Sequence, residues 1–402
     1  MRFSVSLALL TVPALAHAED GGKTELPAAP TRNTPVIGGS AAPAGKWPDA
    51  VAVEYGGSQA CSGTLIAPTV VITAGHCVAG GAPDSVLIGA SALSRASEGE
   101  RITVIKAIEY PNSQSSMDVG VLVLAKPSQF MPRQIATGWA RSDIKNAAAV
   151  EFVGFGTTDK NGTISTDNLM EAQSTITDYN CTTSSGCNTA AKPDGELGAG
   201  GMGIDTCPGD SGGPMYLLTD YGSFLAGVTS RAYDTATYAC SEGGIYERPD
   251  KIVDWITQQT SAEIAVAPGP TAELVTTVRG DAGESQITHH DPKSDKHTYA
   301  VTTQPQYGKA AVSASGVFRV CANKDVVGGD TAVVTVTDQS DPTRKADVKI
   351  AIKITDGDPP SDCDPTDFGD TGGCCDARRS SGGSIPLALF VGALLLRRRR
   401  SR

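Results

Sequence analysis

Short apolar runs recur through residues 36–260, with turn residues between them. Many of their residues are Val, Ile or Leu, and the spacing of the runs predicts an all-β sandwich or barrel. One helix is predicted at the end of the region, because Pro249 suits a helix start and Ile252, Trp255 and Ile256 share one face. The predicted strands are Ala50–Tyr55, Thr64–Thr73, Val86–Gly89, Arg101–Tyr110, Val119–Leu124, Ala149–Gly156, Pro214–Leu218 and Phe224–Ser230.

A second set of runs, in residues 272–355, alternates polar and apolar positions more regularly. This pattern predicts a small immunoglobulin- or cadherin-like β-sandwich, and the Pro- and Ala-rich residues 261–271 before it predict a linker. A spacer role and a ligand- or substrate-binding role are both open for this sandwich. Its predicted strands are Glu273–Val278, His297–Thr303, Lys309–Val312, Gly316–Val320, Asp330–Thr337 and Ala346–Thr355.

Composition supports this picture and narrows the function classes. The chain has 402 residues, enough for two or three domains, and its 45 Gly and 24 Pro indicate many turns. The net charge of −11 gives no indication of nucleic-acid binding. Ten cysteines occur without a C-x-x-C pair, and the adjacent His289 and His290 lie far from any cysteine cluster. We therefore expect disulfides rather than a metal site, and no cofactor.

The first residues are typical of export. Residues 1–18 have a positive start, an apolar stretch and the small-residue end Ala16-His17-Ala18, which together predict a signal peptide. Residues 19–35 are polar and rich in Ala, Pro and Thr, and predict a leader or propeptide. The protein is therefore expected to be exported.

The last residues predict a second targeting segment. A Cys-containing spacer, 356–384, precedes an apolar run, Ile385–Leu396, and an Arg cluster, so 385–402 is expected to form a short apolar helix with an Arg-rich end. The run is shorter than the ~20 residues that span a bilayer. This layout resembles the C-terminal sorting tail of myxobacterial exported proteins. The resemblance implies processing machinery, transient membrane association, and cleavage or lipid attachment at Cys374 or Cys375. After processing of the tail, the mature protein is expected on the cell surface, at the outer membrane, or secreted. The alternative is that the tail is a permanent anchor.

Three segments of the first region carry chemistry. His76 lies in Thr73-Ala74-Gly75-His76-Cys77, Asp118 precedes an apolar strand, and Ser211 lies in Cys207-Pro208-Gly209-Asp210-Ser211-Gly212-Gly213-Pro214. A serine hydroxyl is a poor nucleophile unless a base is within hydrogen-bond reach and a third group orients that base. The glycines around Ser211 allow backbone N–H groups to point at a reacting oxygen.

These motifs, with Val36-Ile37-Gly38-Gly39 and Gly154-Phe155-Gly156, resemble the chymotrypsin/trypsin family of serine proteases over residues 36–260. The resemblance implies a chymotrypsin-like double β-barrel with a C-terminal helix. It implies that His76 is the general base and then acid, that Asp118 orients it, and that Ser211 attacks the scissile carbonyl. The N–H groups of Gly209 and Ser211 would form the oxyanion hole.

The resemblance also implies supporting residues. Ser230 would hydrogen-bond Asp118, and the disulfides would join Cys61 to Cys77, Cys181 to Cys187 and Cys207 to Cys240. No local partner is apparent for Cys321.

Specificity is implied by residues that match the primary pocket of the family. Asp205 falls at its base, and a buried carboxylate there selects Arg or Lys. Gly244 and Ala232 match positions on the walls of this pocket. At the position of Ala232 trypsins have Gly. Arg231 replaces the family's Trp and is expected to place a cation near the substrate cleft. The alternative is that Asp205 is an exposed acid in a Gly-rich loop.

Activation is where the sequence departs from the family. The resemblance implies that a cut frees the amine of Val36, which then pairs with Asp210. The residue before Val36 is Pro35, a poor site for tryptic cleavage, so we expect another protease to trim the chain. The leading hypothesis is an exported serine endopeptidase acting on proteins or peptides. The competing hypothesis is a catalytically inactive surface protein that binds through a protease-like fold and the second region.

Overall fold

The computed structural model describes residues 36–191, 194–359 and 362–368. The predicted signal peptide, the leader, Cys374, Cys375 and the C-terminal apolar helix lie outside these residues. None of the helices in the described part of the chain has the length and apolar content needed to cross a bilayer.

The described chain is built almost entirely of strands. One α-helix, α1 (Val253–Thr260), and four 3-10 turns, Leu93–Glu98, Ser113–Ser115, Gly138–Asp143 and Pro249–Lys251, accompany them. The strands are β1 (Ser40–Ala41), β2 (Ala50–Tyr55), β3 (Ser58–Ala67), β4 (Val70–Thr73), β5 (Ser85–Ile88), β6 (Glu100–Glu109), β7 (Gly120–Leu124), β8 (Ala149–Gly154), β9 (Met170–Asp178), β10 (Glu196–Ala199), β11 (Pro214–Thr219), β12 (Gly222–Ala232), β13 (Gly244–Glu247), β14 (Val275–Val278), β15 (Ala282–Gln286), β16 (His297–Thr303), β17 (Gly308–Val312), β18 (Val317–Ala322), β19 (Gly328–Asp338) and β20 (Lys345–Thr355).

Two six-stranded barrels form the first part of the chain. The first closes in the order β2-β3-β4-β7-β6-β5. The second sheet has the order β1-β9-β10-β13-β12-β11-β8, and additional pairing between β8 and β9 closes six of its strands. Two sheets follow, of order β14-β20-β19-β16 and β15-β18-β17. The prediction of an all-β double barrel followed by a β-sandwich is therefore confirmed.

Several strands differ from the predicted ones. The run Thr64–Thr73 is the end of β3 and the whole of β4, because the chain turns at Pro68 and Thr69. Five strands are additional: β1, β9, β10, β13 and β15. Glu196 in β10 and Glu247 in β13 are almost fully buried. Buried acids break the alternation from which strands are predicted, so these two strands had no clear hydrophobic signal.

The chain divides into two compact units. The first contains the described residues up to Thr271 together with Thr288–Tyr299 and Val334–Lys349, and the second contains Ala272–Ile287, Ala300–Val333 and the described residues from Ile350 onward. Within the second unit a disulfide joins Cys321 to Cys363, a pairing the sequence left open.

Residues 261–271, which composition predicts as a linker, pack onto the second barrel. Ala265 accepts a hydrogen bond from the N–H of Ile135, and the N–H of Ala267 donates to the carbonyl of Ile135, at 2.9 and 2.8 Å. Ile264 and Ala267 are buried. This segment is therefore part of the core of the first unit rather than a free tether.

Candidate active site

His76 and Asp118 are brought together by the first barrel. Strands β4 and β7 are antiparallel neighbours, with Thr73 opposite Gly120, so the residue that follows β4 lies beside the one that precedes β7. The backbone N–H of His76 donates to Asp118 Oδ1 at 2.8 Å, and His76 Nδ1 lies 2.7 Å from Asp118 Oδ2. This geometry assigns the Nδ1–H tautomer and leaves Nε2 free to accept a proton.

Asp118 is held ionised by its neighbours. Burial by itself would raise the pKa of this carboxyl, but the contacts with His76 and Ser230 outweigh burial, and the pKa of Asp118 is lowered. The hydroxyl of Ser230 donates to Asp118 Oδ2 at 2.7 Å. Asp118 is therefore a fixed negative charge against the imidazole.

Ser211 lies on the loop that leads into β11 of the second barrel. Its carbonyl accepts from the N–H of Ser62 at 2.8 Å and lies 3.8 Å from the sulfur of Cys77, the residue after His76. A Cβ at Gly212 would overlap Thr73 Oγ1 and the carbonyl of Ser62, and its φ is +81°. Glycine at position 212 thus lets the serine loop pack closely against the end of β4, three residues before His76.

The backbone around Ser211 presents donors for an oxyanion. Gly209 has a φ of +98°, and its carbonyl accepts from Gln59 Nε2 and Ser62 Oγ, both at 2.9 Å. These bonds fix the peptide that follows Gly209. The N–H groups of Gly209 and Ser211 donate no hydrogen bond to any of the described residues. Both are available to a substrate oxygen.

Asp205 is buried in the structure, not exposed in a Gly-rich loop. The residue is 1% exposed, and its carboxylate accepts from the N–H groups of Thr206, Ser241 and Gly243 at 2.8–3.0 Å. Burial raises the pKa of Asp205 to about 6, against the lowering effect of these N–H groups. Among the described residues no cationic side chain forms an ion pair with it. A ligand cation would therefore find an uncompensated carboxylate here.

The two predicted wall positions face each other. Ala232 in β12 pairs directly with Gly244 in β13. A Cβ at Gly244 would lie 2.8 Å from the carbonyl of Arg231 and 3.7 Å from Asp205 Oδ1. Glycine at position 244 therefore leaves room beside the Asp205 carboxylate.

Arg231 does not place a free cation in the cleft, contrary to expectation. One guanidinium nitrogen lies 2.7 Å from Glu196 Oε1 and another 3.4 Å from Glu247 Oε1. The reason is that the buried carboxyl groups of Glu196 and Glu247, on neighbouring strands, bind the guanidinium, and the closer one, Glu196, forms an ion pair with it.

The residues implied in activation lie in the second barrel. Val36 is fully buried, and the carbonyl of Ile37 accepts from the N–H of Asp205 at 3.3 Å. Asp210 is also fully buried, and its carboxylate accepts from the N–H groups of Gly156 and Cys207 at 2.7 and 2.8 Å. Burial raises the pKa of Asp210 to about 7.

Disulfides surround these loops. The structure joins Cys61 to Cys77, Cys181 to Cys187 and Cys207 to Cys240, the pairs that the resemblance implied. In the described chain the two groups with metal-ligand spacing, Cys61-His76-Cys77 and Cys181-Cys187-Glu196, each contain one of these disulfides. Their sulfurs are bonded to each other and offer no thiolate to an ion.

A cavity of about 520 Å³ beside the oxyanion donors had no sequence signal. Its wall includes Gln59, Gly209, Phe155 and the ion pair of Glu54 with Arg101, which are far apart in the chain.

Comparison with known proteins covers both parts of the chain. A family model described as Trypsin matches residues 36–256, and one described as Bacterial Ig domain matches residues 264–351. A trypsin from Saccharopolyspora erythraea is 30% identical over 239 residues, which are 56% of this chain and 99% of that protein. Chymotrypsin-like elastase family member 1 from Macaca fascicularis is 28% identical over 243 residues, 57% of this chain and 91% of that protein. Glucanase inhibitor protein 2 from Phytophthora infestans is 29% identical over 241 residues, 57% of this chain and 90% of that protein.

Proposed function

This chain belongs to the trypsin family of serine proteases, and from that premise we propose that it is an active, exported endopeptidase that cleaves after Arg or Lys. The observation that carries the activity is the double contact between His76 and Asp118 beside the serine loop. The observation that carries the specificity is the buried Asp205 carboxylate with no cationic partner among the described residues.

The proposed reaction uses His76, Asp118 and Ser211, with the N–H groups of Gly209 and Ser211. Ser211 Oγ attacks the scissile carbonyl as its proton passes to His76 Nε2, and Asp118 stabilises the resulting imidazolium. The oxygen of the tetrahedral intermediate accepts from the N–H groups of Gly209 and Ser211. His76 then gives the proton to the leaving amine, which departs as the acyl-enzyme forms. Water, deprotonated by His76, hydrolyses that ester and restores Ser211.

Export and processing are part of the same proposal. The sequence of residues 1–18 supports removal of a signal peptide. The burial of Val36, whose neighbour Ile37 pairs with Asp205, supports a mature chain that begins at Val36. The layout of residues 385–402 supports a tail that holds the chain at the membrane before processing at Cys374 or Cys375. N-terminal sequencing of active protein would refute this maturation if residues 19–35 were intact in fully active material.

A fluorophosphonate probe tests the activity directly. Processed wild-type protein is expected to be labelled at Ser211, and labelling is expected to vanish in Ser211→Ala. Absence of labelling in protein that begins at Val36 would instead support the second candidate, an inactive binding protein. That candidate is favoured by one observation, the 29% identity to a relative named as a glucanase inhibitor.

A peptide-library cleavage profile tests the specificity separately. Cleavage mainly after Arg and Lys is expected from the Asp205 carboxylate. Cleavage mainly after small or apolar residues would refute that preference and agree with the similarity to elastase-family relatives. Ala232, which is bulkier than the trypsin glycine, is the wall residue that would then narrow the pocket.

A further inference from the structure

A guanidinium lies directly behind the serine that contacts Asp118. Arg231 donates to Ser230 Oγ at 3.0 Å, and Ser230 Oγ donates to Asp118 Oδ2 at 2.7 Å. A guanidinium has only donors, and a hydroxyl has one hydrogen. Because Ser230 Oγ accepts from Arg231, its single hydrogen is directed at Asp118.

A β-bulge makes this arrangement possible. Neighbouring residues of a regular strand point to opposite faces of the sheet. The register of β12 against β13 shifts between Thr229 and Arg231, so that Ser230 has no direct partner. The extra residue re-aims the side chains, and Ser230 and Arg231 meet on the side where Asp118 lies.

Two buried acids hold the guanidinium in place. Glu196 and Glu247 are directly opposite each other in the pair of β10 and β13, where two like charges would repel. Arg231 bonds Glu196 at 2.7 Å, approaches Glu247 at 3.4 Å and donates to the carbonyl of Gly186 at 2.8 Å. Among the described residues Glu247 Oε2 has no hydrogen-bond partner. Burial, together with the nearby Glu196, raises the pKa of Glu247 well above its usual value.

The same acids are connected to the segment that carries Asp118. The N–H of Asn188 donates to Glu196 Oε2 at 2.6 Å, and its side-chain amide donates to the carbonyl of Ser116 at 2.7 Å. Ser116 is two residues before Asp118. The cluster of Glu196, Glu247 and Arg231 therefore reaches Asp118 from two directions.

We propose that Arg231 is a positioning residue of the active site, which acts through Ser230 to fix the orientation and charge of Asp118. This inference rests on the proposed peptidase function. Arg231 stands where the family has Trp, and its charge is turned toward Glu196 and Glu247 rather than toward substrate. Its effect on catalysis is expected in kcat and not in KM.

A double-mutant cycle of Arg231→Lys and Ser230→Ala tests this role. Lysine keeps the positive charge between the two glutamates but has no planar fork, so it cannot hold Glu196 and Ser230 together. Each single change is expected to lower kcat about tenfold, the size of one charge-assisted hydrogen bond, with KM unchanged. The kcat of the double variant is expected to fall no further than that of the more impaired single variant, because Arg231 acts on Asp118 through Ser230.

The controls separate positioning from other roles. Rates are normalised to active sites counted with the fluorophosphonate, and Arg95→Lys, at an exposed ion pair, is expected to leave kcat unchanged. Full kcat in folded Arg231→Lys, additive losses, or a change confined to KM would each overturn the proposal. If Arg231→Lys does not fold, Glu196→Gln loosens the same guanidinium and is expected to lower kcat in the same way.

A spectroscopic readout keeps this inference distinct from the proposed function. The proton between His76 Nδ1 and Asp118 is followed as a low-field resonance in histidine-labelled protein. A shift of that resonance in Arg231→Lys supports the positioning role even if the wild-type protein is not labelled by the fluorophosphonate. An identical resonance in both proteins overturns it, whereas loss of labelling in the wild type contradicts only the peptidase function.

Discussion

His76 and Asp118 are joined twice, by a backbone N–H to Oδ1 at 2.8 Å and by the ring Nδ1 to Oδ2 at 2.7 Å. One contact fixes the position of the histidine backbone and the other fixes the tautomer of the ring. Both carboxylate oxygens of Asp118 therefore accept from His76, and Oδ2 accepts a second hydrogen bond from the Ser230 hydroxyl. The imidazole can rotate little without breaking a charge-assisted hydrogen bond.

The first prediction concerns this double contact. Asp118→Asn removes the charge and replaces one acceptor oxygen with a donor NH₂, which favours the wrong histidine tautomer. We expect kcat for an ester or amide substrate to fall by roughly 10⁴, the loss for the same change in a serine protease, with KM little changed. Steady-state kinetics on folded, titrated enzyme measures it. A loss below tenfold would contradict the assigned role of Asp118.

The second prediction concerns the pocket base. Asp205→Ser leaves a bound Arg side chain buried without a counter-charge, so kcat/KM for an Arg substrate is expected to fall by roughly 100- to 1000-fold, or about 3–4 kcal/mol. An apolar substrate is expected to lose little. Equal losses on both substrates would indicate a damaged fold instead of a changed specificity.

The third prediction is the pH dependence of that preference. The pKa of Asp205 is raised to about 6, so the carboxylate gains a proton as the pH falls through 6. The ratio of kcat/KM for Arg and apolar substrates is therefore expected to fall on going from pH 8 to pH 5. Taking the ratio cancels any effect of pH that both substrates share. A ratio that is flat with pH would place Asp205 outside the pocket.

The fourth prediction concerns the charge of Asp210 before and after a cut at Val36. In the uncut chain the nitrogen of Val36 is an uncharged amide, and the pKa of Asp210 is about 7 when folded, against an ordinary 3.8. Between about pH 4 and 7 the folded state therefore holds a proton that the unfolded state has lost. The free energy of unfolding is expected to fall as the pH rises through this window, by about 1.4 kcal/mol per pKa unit.

A free amine at Val36 would supply a positive charge for Asp210 and lower its pKa, so the decline is expected to be smaller in the cut form. Denaturant unfolding of both forms, each carrying Ser211→Ala to prevent self-digestion, measures the difference. Asp205 titrates in both forms and cancels. The same slope for the two forms would contradict pairing between Val36 and Asp210.

The fifth prediction concerns a buried ion cluster in the first unit. Arg344 is 3% exposed and bonds Asp291 at 2.8 Å and Asp143 at 3.1 Å. Arg344→Ala leaves the buried Asp291 charge without its main partner and is expected to destabilise the unit by about 3–5 kcal/mol. The urea midpoint of activity loss measures this. Arg95→Ala, at an exposed pair, is expected to cost under about 1 kcal/mol and serves as the matched control.

The sequence by itself determined the fold class and the residues of the candidate site. The predicted strands Ala50–Tyr55 and His297–Thr303 have the same bounds in the structure, because β-forming runs and the turn residues that end them are local properties. The motifs around His76, Asp118 and Ser211 are also local. They identify the chemistry before any distance is known.

Only the tertiary structure decided where the buried charges lie. Arg231 and Glu196 are 35 positions apart, and Arg344 and Asp143 are 201 apart. A charged residue in a sequence is predicted to be exposed to solvent unless its ion-pair partner is known. That partner is determined by how the strands pair across the barrel. The packing of residues 261–271 also depends on a distant partner, since the N–H and carbonyl of Ile135 bond to this Pro- and Ala-rich segment. Long-range contacts, which no local pattern encodes, thus turned an expected free cation at position 231 into a residue that supports Asp118.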